Sequence, residues 1–333
     1  MSPLVLRRGT VAEVEARGRV ARLTVQVGGE PRPALAYTAL TGPVEAGDDV
    51  VVNCAALDLG LGSGGFDIVH VNLTRGLDLE GDPGAHVMKL NYTSLQHGVT
   101  PFERDGRRRT GPVAVIALHG QLAPVAWAAS RERPRRVGYV QTAGGALPGE
   151  LSDVVRELLD RGLLAAHVTA GPSFGGPHEA ITVAGALDAG FDAEGWDGAI
   201  AGPGPGILGS ATRLGHGGMA ALDTAHAALA LGCPTILVPR MSGADPRERH
   251  RDLSHHTATV LEMLLAPVLL ALPEGAEVPA GQHEALEFAV DLQGYAASGL
   301  PAETMGRSLD EDELFFKAAL AGGEALAEEM HDV

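Results

Sequence analysis

A rhythm that sets in near residue 111 constrains this chain most. From there to about residue 272, short apolar runs alternate with helix-compatible stretches. Val113–Leu118, Arg136–Val140, 163–169, 197–201, 234–239 and 267–272 have strand length. Segments 121–130, 147–161, 178–189, 218–231 and 255–265 separate them. Within 147–161, Leu151, Val154, Val155, Leu158 and Leu159 fall on one helical face, and Gly162 ends the pattern. Strand alternating with helix requires crossover connections, hence a mainly parallel sheet. Continuous apolar strands imply a sheet covered on both faces. The expectation is a Rossmann-like three-layer α/β domain of five or six parallel strands.

The first 80 residues follow another period. Val11–Ala16 and Val20–Val27 alternate apolar and polar residues; Val50–Val52 and Ile68–Val71 are further short runs. Gly28-Gly29 and Gly47-Asp48 punctuate them. This reads as a small, helix-poor, barrel-like β domain. The predicted organisation is a β domain over 1–80, a connecting segment over 81–110, the α/β domain over 111–305 and a helical tail over 306–333. Arg104–Arg109 in the connector reads as an exposed basic loop.

Composition excludes some partners. The net charge of −17 makes nucleic acid or an anionic membrane a poor partner for the whole molecule. Aromatic content of 4% offers no base-stacking platform. No apolar stretch reaches the roughly 18 residues that a membrane span needs. The N-terminus lacks the apolar core of a secretion signal. Cys54 and Cys233, each in an apolar run, read as buried free thiols of a reducing compartment. The expectation is a cytoplasmic protein, with a homo-oligomer left open by the sequence.

The loops that follow the strands are rich in glycine: Leu118–Gln121, Gln141–Gly145, Thr169–Gly176, Gly202–Ser210 and Pro239–Gly243. All belong to the carboxyl edge of a parallel sheet, where open α/β folds bind ligands. Loops at the opposite edge, such as Ala189–Asp192, carry less glycine. Gly204-x-Gly206-x-x-Gly209 copies a dinucleotide fingerprint but does not open a helix directly. Gly171-x-Ser173-x-Gly175 copies a nucleophile elbow after a strand, with Asp245 and His250 downstream.

The densest polar stretch is 240–257. It holds Arg240, Arg247, Arg249 and Arg251 with His250, His255 and His256 in an otherwise acidic chain. Guanidinium groups suit phosphate or carboxylate. No metal-ligand spacing is evident, and adjacent His255 and His256 are expected to diverge on a helix. Neither a metal site nor a cofactor is therefore assigned.

The predicted ligand-binding residues are Gly144, Gly145, Ser173, Gly175, Gly176, Gly204, Gly206, Ser210, Arg240, Ser242, Asp245, Arg247, Arg249 and Arg251. The predicted acid–base groups are His119, His250 and His255, the side-chain type that titrates near neutrality. The ligand expected is a small anionic metabolite, with a phosphorylated one and enzymatic action on it both left open by the sequence. The alternatives are a metal- or serine-dependent hydrolase and a non-catalytic scaffold.

Several motifs together resemble the bacterial domain of unknown function 3866. They are Leu57–Gly65, His86–Lys89, Tyr139–Pro148, Phe174–Gly176, Gly204–Gly206, Asp245–His250 with Ser254–Thr257, and Met305–Arg307. The resemblance covers nearly the whole chain. Two departures stand out: Ala143 occupies a position that is acidic in the family, and Gly171-Pro172-Ser173 replaces Gly-His-Ala. The resemblance implies no activity.

Overall fold

The computed structural model describes residues 4–16, 19–60, 65–81, 83–106, 109–210 and 212–331. Leu61, Gly62, Ser63 and Gly64 of the glycine run and Arg107 and Arg108 of the basic loop lie outside them. The chain divides into two compact units, Met1–Thr100 and Pro101–Val333.

The first unit is built on a closed barrel of β1 (Leu6–Ala16), β2 (Val20–Val27), β3 (Glu30–Tyr37), β4 (Asp49–Asn53) and β5 (Asp67–Asn72). The short helices α1 (Thr38–Thr41) and α2 (Ala55–Asp58) follow β3 and β4. The period-two pattern places Val11, Leu23, Val25, Val50, Val52 and Val69 inside. A parallel β3–β5 pairing closes the ring, so no barrel edge is left open. Residues 87–99 add a small hairpin, β6 (Val87–Lys89) with β7 (His97–Val99).

The second unit is built on one parallel sheet. Its strands are β8 (Val113–Ile116), β9 (Val137–Thr142), β10 (Ala166–Ala170), β11 (His178–Ala180), β12 (Gly198–Pro203), β13 (Thr235–Val238), β16 (Leu269–Pro273) and β17 (Glu284–Phe288). Their order is β11-β10-β9-β12-β8-β13-β16-β17. The eight strands exceed the expected five or six, because β11 and β17 extend the two edges. Small ribbons β14 (Met241–Ser242) with β15 (Asp252–Leu253) and β18 (Glu303–Thr304) with β19 (Arg307–Ser308) stand outside the sheet.

Helices α5 (Val183–Asp192), α6 (Ala220–Ala230) and α7 (His255–Met263) cover one face. Helices α3 (Leu122–Ser130), α4 (Asp153–Asp160), α8 (Leu292–Ala297) and α9 (Glu313–Glu329) cover the other. The connections leaving β8 and β9 therefore pass over one face, while those leaving β12 and β13 pass over the other. This is a topological switch point, and it falls among the loops singled out in the sequence.

The expected tail is part of the core. Phe315, Phe316, Leu320 and Leu326 of α9 are buried. Gly322 and Gly323 let α9 approach closely: a Cβ on Gly323 would lie 2.5 Å from the Val125 carbonyl oxygen of α3. Both cysteines are buried free thiols. Among the described residues no helix is long and apolar enough to cross a membrane.

Candidate functional site

The carboxyl-edge loops form a continuous row. The loop after β10 lies on the loop after β9, where Gly149 N–H donates to the Phe174 carbonyl and Glu150 N–H to that of Gly175. The loop after β9 lies in turn on the one after β12, with Ala146 N–H donating to Gly206 and Leu208 N–H to Gly144. These glycines serve packing of backbone on backbone. Gly144 has φ 103°, and a Cβ there would stand 2.3 Å from the Gly217 carbonyl oxygen. One on Gly145 would stand 2.5 Å from that of Gly204. Gly175 lies against Pro148, and Gly176 against Thr169. Ser173 sits on the outer β10 loop. Ser210 lies in an exposed turn, where its hydroxyl meets Thr212 and the Gly215 carbonyl.

The row continues into the arginine–histidine segment through His216, whose ring stacks on His256 at 3.4 Å between centroids. Sequence reasoning passed over His216, because nothing local in Gly204–Gly218 marks it. His250, His255 and His256 complete a four-ring cluster. The centroids of His250 lie 4.8 Å from both His255 and His256, and those of His255 and His256 lie 4.4 Å apart.

The expectation that His255 and His256 diverge is corrected. One nitrogen from each of His216, His255 and His256 lies within 4.8 Å of the others. The two neighbours occupy the first turn of α7, which Ser254 caps by accepting the His256 N–H. Helical side chains lean toward the N-terminus, and there no earlier turn stands between the rings.

Beside the rings lies a buried ionic centre. The Asp245 carboxylate, 0% exposed, accepts from Arg240 Nη2 at 3.1 Å and from Arg247 Nε and Nη2 at 2.9 and 2.8 Å. Arg307 Nη2 is 3.7 Å away. Burial acts to raise this carboxyl; the Arg247 hydrogen bonds and the flanking arginines outweigh it and hold the group well below the usual carboxylate range. Asp312 accepts from Arg307 Nε, from the Ser242 hydroxyl and from Gly243 N–H.

Several expected ligand residues thus have another task. Asp245 is a counter-ion closed to solvent, and Arg247 is its partner. Ser242 is fixed between Asp312 and the Asp245 N–H, which it accepts. Arg251 Nε donates to the Asp245 carbonyl oxygen. Among the described residues no carboxylate pairs with Arg249 or Arg251. Arg307 and Asp312 are further members of the centre that sequence reasoning did not assign. The one signal for Arg307 was the Met305–Arg307 motif.

Arg240 joins the ionic centre to the rings. Its guanidinium is buried, donates to His256 Nδ1 at 3.2 Å, and leaves Nε without a partner. Burial pulls its pKa down to about 10. The histidines are held neutral. Burial first, then Arg240 and Arg247, lowers His250 to about 4. Burial and the neighbouring His216 and Arg240 lower His256 to about 2. His255 and His216 are lowered too, chiefly by burial, with Arg240 and Arg249 adding to it.

His119 occupies a separate position. Its Nε2 meets the Ser152 hydroxyl at 2.7 Å, and Tyr139 stands 3.4 Å from its Nδ1. Burial lowers it to about 4. The nearby Gln121 ties this loop to the end of β13: its Oε1 accepts from Ala117 and Leu118 N–H, and its Nε2 donates to the Pro239 carbonyl. A serine–histidine pair occurs at His119–Ser152 and again at His250–Ser254 (2.8 Å). Both serines are helix N-caps, of α4 and α7, which accounts for their position. Asp245 is held by arginines, and His250 Nδ1 meets Ser254.

The molecule is thus a two-unit protein, a closed β barrel and a parallel α/β sheet with an arginine–histidine edge. It belongs to the family described as "Protein of unknown function (DUF3866)", whose model matches residues 33–323. No curated protein matches the chain. Among solved structures, that of YjeQ from Thermotoga maritima is similar at 13% identity over 50% of this chain, with a TM-score of 0.14. The chain spans about half of that protein, 51% of its length.

Proposed function

We propose that the edge formed by Arg240, Arg249 and the histidine cluster binds a small anionic metabolite bearing phosphate or carboxylate. The observation that carries this reading is a local surplus of cations in an acidic protein. Three guanidinium groups share the buried Asp245 carboxylate. Arg240 Nε, buried beside neutral rings, has no acceptor. Arg249 has no carboxylate partner among the described residues, yet its charge lowers His255 and His216. A buried donor without an acceptor costs about 1–3 kcal/mol, and a bound anion would remove that cost. The same anion would raise the pKa of the nearby imidazoles, so its binding would take up protons.

The test is calorimetric titration of the full chain with inorganic phosphate, pyrophosphate and common nucleotides. One saturable site is expected. Arg249→Met should weaken it by about 1.5–3 kcal/mol, the scale of one charge-assisted hydrogen bond, without altering thermal unfolding. An absence of binding by all these anions, or equal affinity in the variant, would remove the reading.

A further inference from the structure

We propose that His216, His255 and His256 hold one divalent first-row transition ion of the zinc class, in a site beside Gly218. Imidazole suits zinc, copper, iron and nickel, and three imidazoles with an open position form a recurring ligand set. One nitrogen from each of these three residues already lies within 4.8 Å of the others.

Two of the nitrogens are buried and have no hydrogen-bond partner: Nδ1 of His216 and Nε2 of His255. A buried polar atom left unpaired is costly and calls for a partner. His216, only 8% exposed, has the arrangement of a metal-bound imidazole. Its Nε2 contacts the Arg213 carbonyl at 3.0 Å, which places the proton there and the lone pair on Nδ1. Gly218 leaves room at the same place. A Cβ on it would stand 3.1 Å from His216 Nδ1 and 3.4 Å from His256 Nδ1. Both lone-pair nitrogens therefore border a position that has no side chain.

The rings are gathered but not yet arranged as a coordination sphere. His216 and His256 lie stacked with an interplanar angle of 10°, so one must turn before both lone pairs meet at an ion. His256 Nδ1 also accepts a hydrogen bond from Arg240. An ion at this nitrogen displaces Arg240 from it, and Arg240 is a like charge nearby. Arg240 is thus a competitor of the ion, whereas a residue that merely braced the rings would support it. This inference does not depend on the anion reading, since it concerns the imidazoles and is read with the metal alone.

The experiment uses the full chain, stripped with a chelator and dialysed. Co2+ is followed by its visible absorption and Zn2+ by competition with a chromophoric chelator, both without phosphate. One ion per chain is expected. His216→Gln and His255→Gln should each weaken binding at least about tenfold, the scale of losing a metal-site residue. Arg240→Met should strengthen it, and exposed His331→Gln should leave it unchanged. Tryptophan fluorescence and circular dichroism check that each variant is folded. Should a histidine variant not fold, ring NMR of the wild type replaces it, with the His216 and His255 resonances expected to move on adding Zn2+. No ion bound by the wild type, affinity unchanged in both histidine variants, or ring resonances that stay in place would each overturn the proposal.

Discussion

The α/β unit should lose stability steeply between pH 7 and pH 5, and two histidines distant from the arginines set a minimum for the effect. His167, on β10, is 2% exposed. Its ring stacks on Tyr139 at 5.3 Å, and its Nε2 meets Gln141 Oε1 at 3.1 Å. Burial lowers His167 from 6.5 to about 3 and His119 from 6.5 to about 4. Above pH 6.5 both are neutral in the folded and unfolded chains alike, and stability does not depend on them. As pH falls below 6.5 the unfolded chain gains protons that the folded one refuses, so stability falls until the folded pKa is reached. At 1.36 kcal/mol per pH unit, each contributes a loss of about 2 kcal/mol by pH 5, about 4 together. That is a large part of the 5–15 kcal/mol typical of a domain. Both tryptophans of the chain, Trp127 and Trp196, lie in this unit, so their fluorescence in a urea titration reports on it and not on the barrel. In His167→Gln the difference between pH 7 and pH 5 should shrink by about 2 kcal/mol, whatever the variant's absolute stability. A wild-type midpoint that stays put from pH 7 to pH 5, or a variant with the full pH dependence, would refute the reasoning.

Two further outcomes follow from packing and charge. Asp245→Asn leaves Arg240, Arg247 and Arg307 facing one another without their shared carboxylate, and should cost about 3–5 kcal/mol in urea unfolding followed by tryptophan fluorescence. Gly323→Ala forces a methyl to within 2.5 Å of the Val125 oxygen, and should cost about 1–3 kcal/mol, seen as a lowered melting temperature.

The parallel sheet was legible because its central strands are buried on both faces and so read as unbroken apolar runs. Its edges were not. β17 carries Glu284 and Glu287, exposed charges that discourage edge pairing and also erase the apolar signature. In β11, three residues precede a turn and α5, and the sequence reads as one helix from 178. In the barrel, β3 was hidden by Pro31 and Pro33. These fall where β3 pairs with β2 alone, since its contact with β5 is confined to Ala34 and Leu35, and there a missing N–H is tolerated. At the site, the basic residues and glycine loops could be named in advance. Their division of labour could not: that Asp245 serves as counter-ion, that glycines pack loop on loop, and that His216 joins the cluster all depend on contacts distant in sequence.

The place of α9 has a consequence for how the molecule is made. Strand β8 and helix α3 leave the ribosome early, yet the side chains that cover them, Phe315, Phe316, Leu320 and Leu326, are translated only after every strand of the sheet. Until then the part of that face over α3, β8, β13 and β16 that α9 covers is an exposed apolar surface of the kind that drives aggregation. Productive folding of this unit must therefore wait for α9 or be shielded by a chaperone. A chain interrupted before Phe315 would present the same surface permanently, as a substrate for quality control.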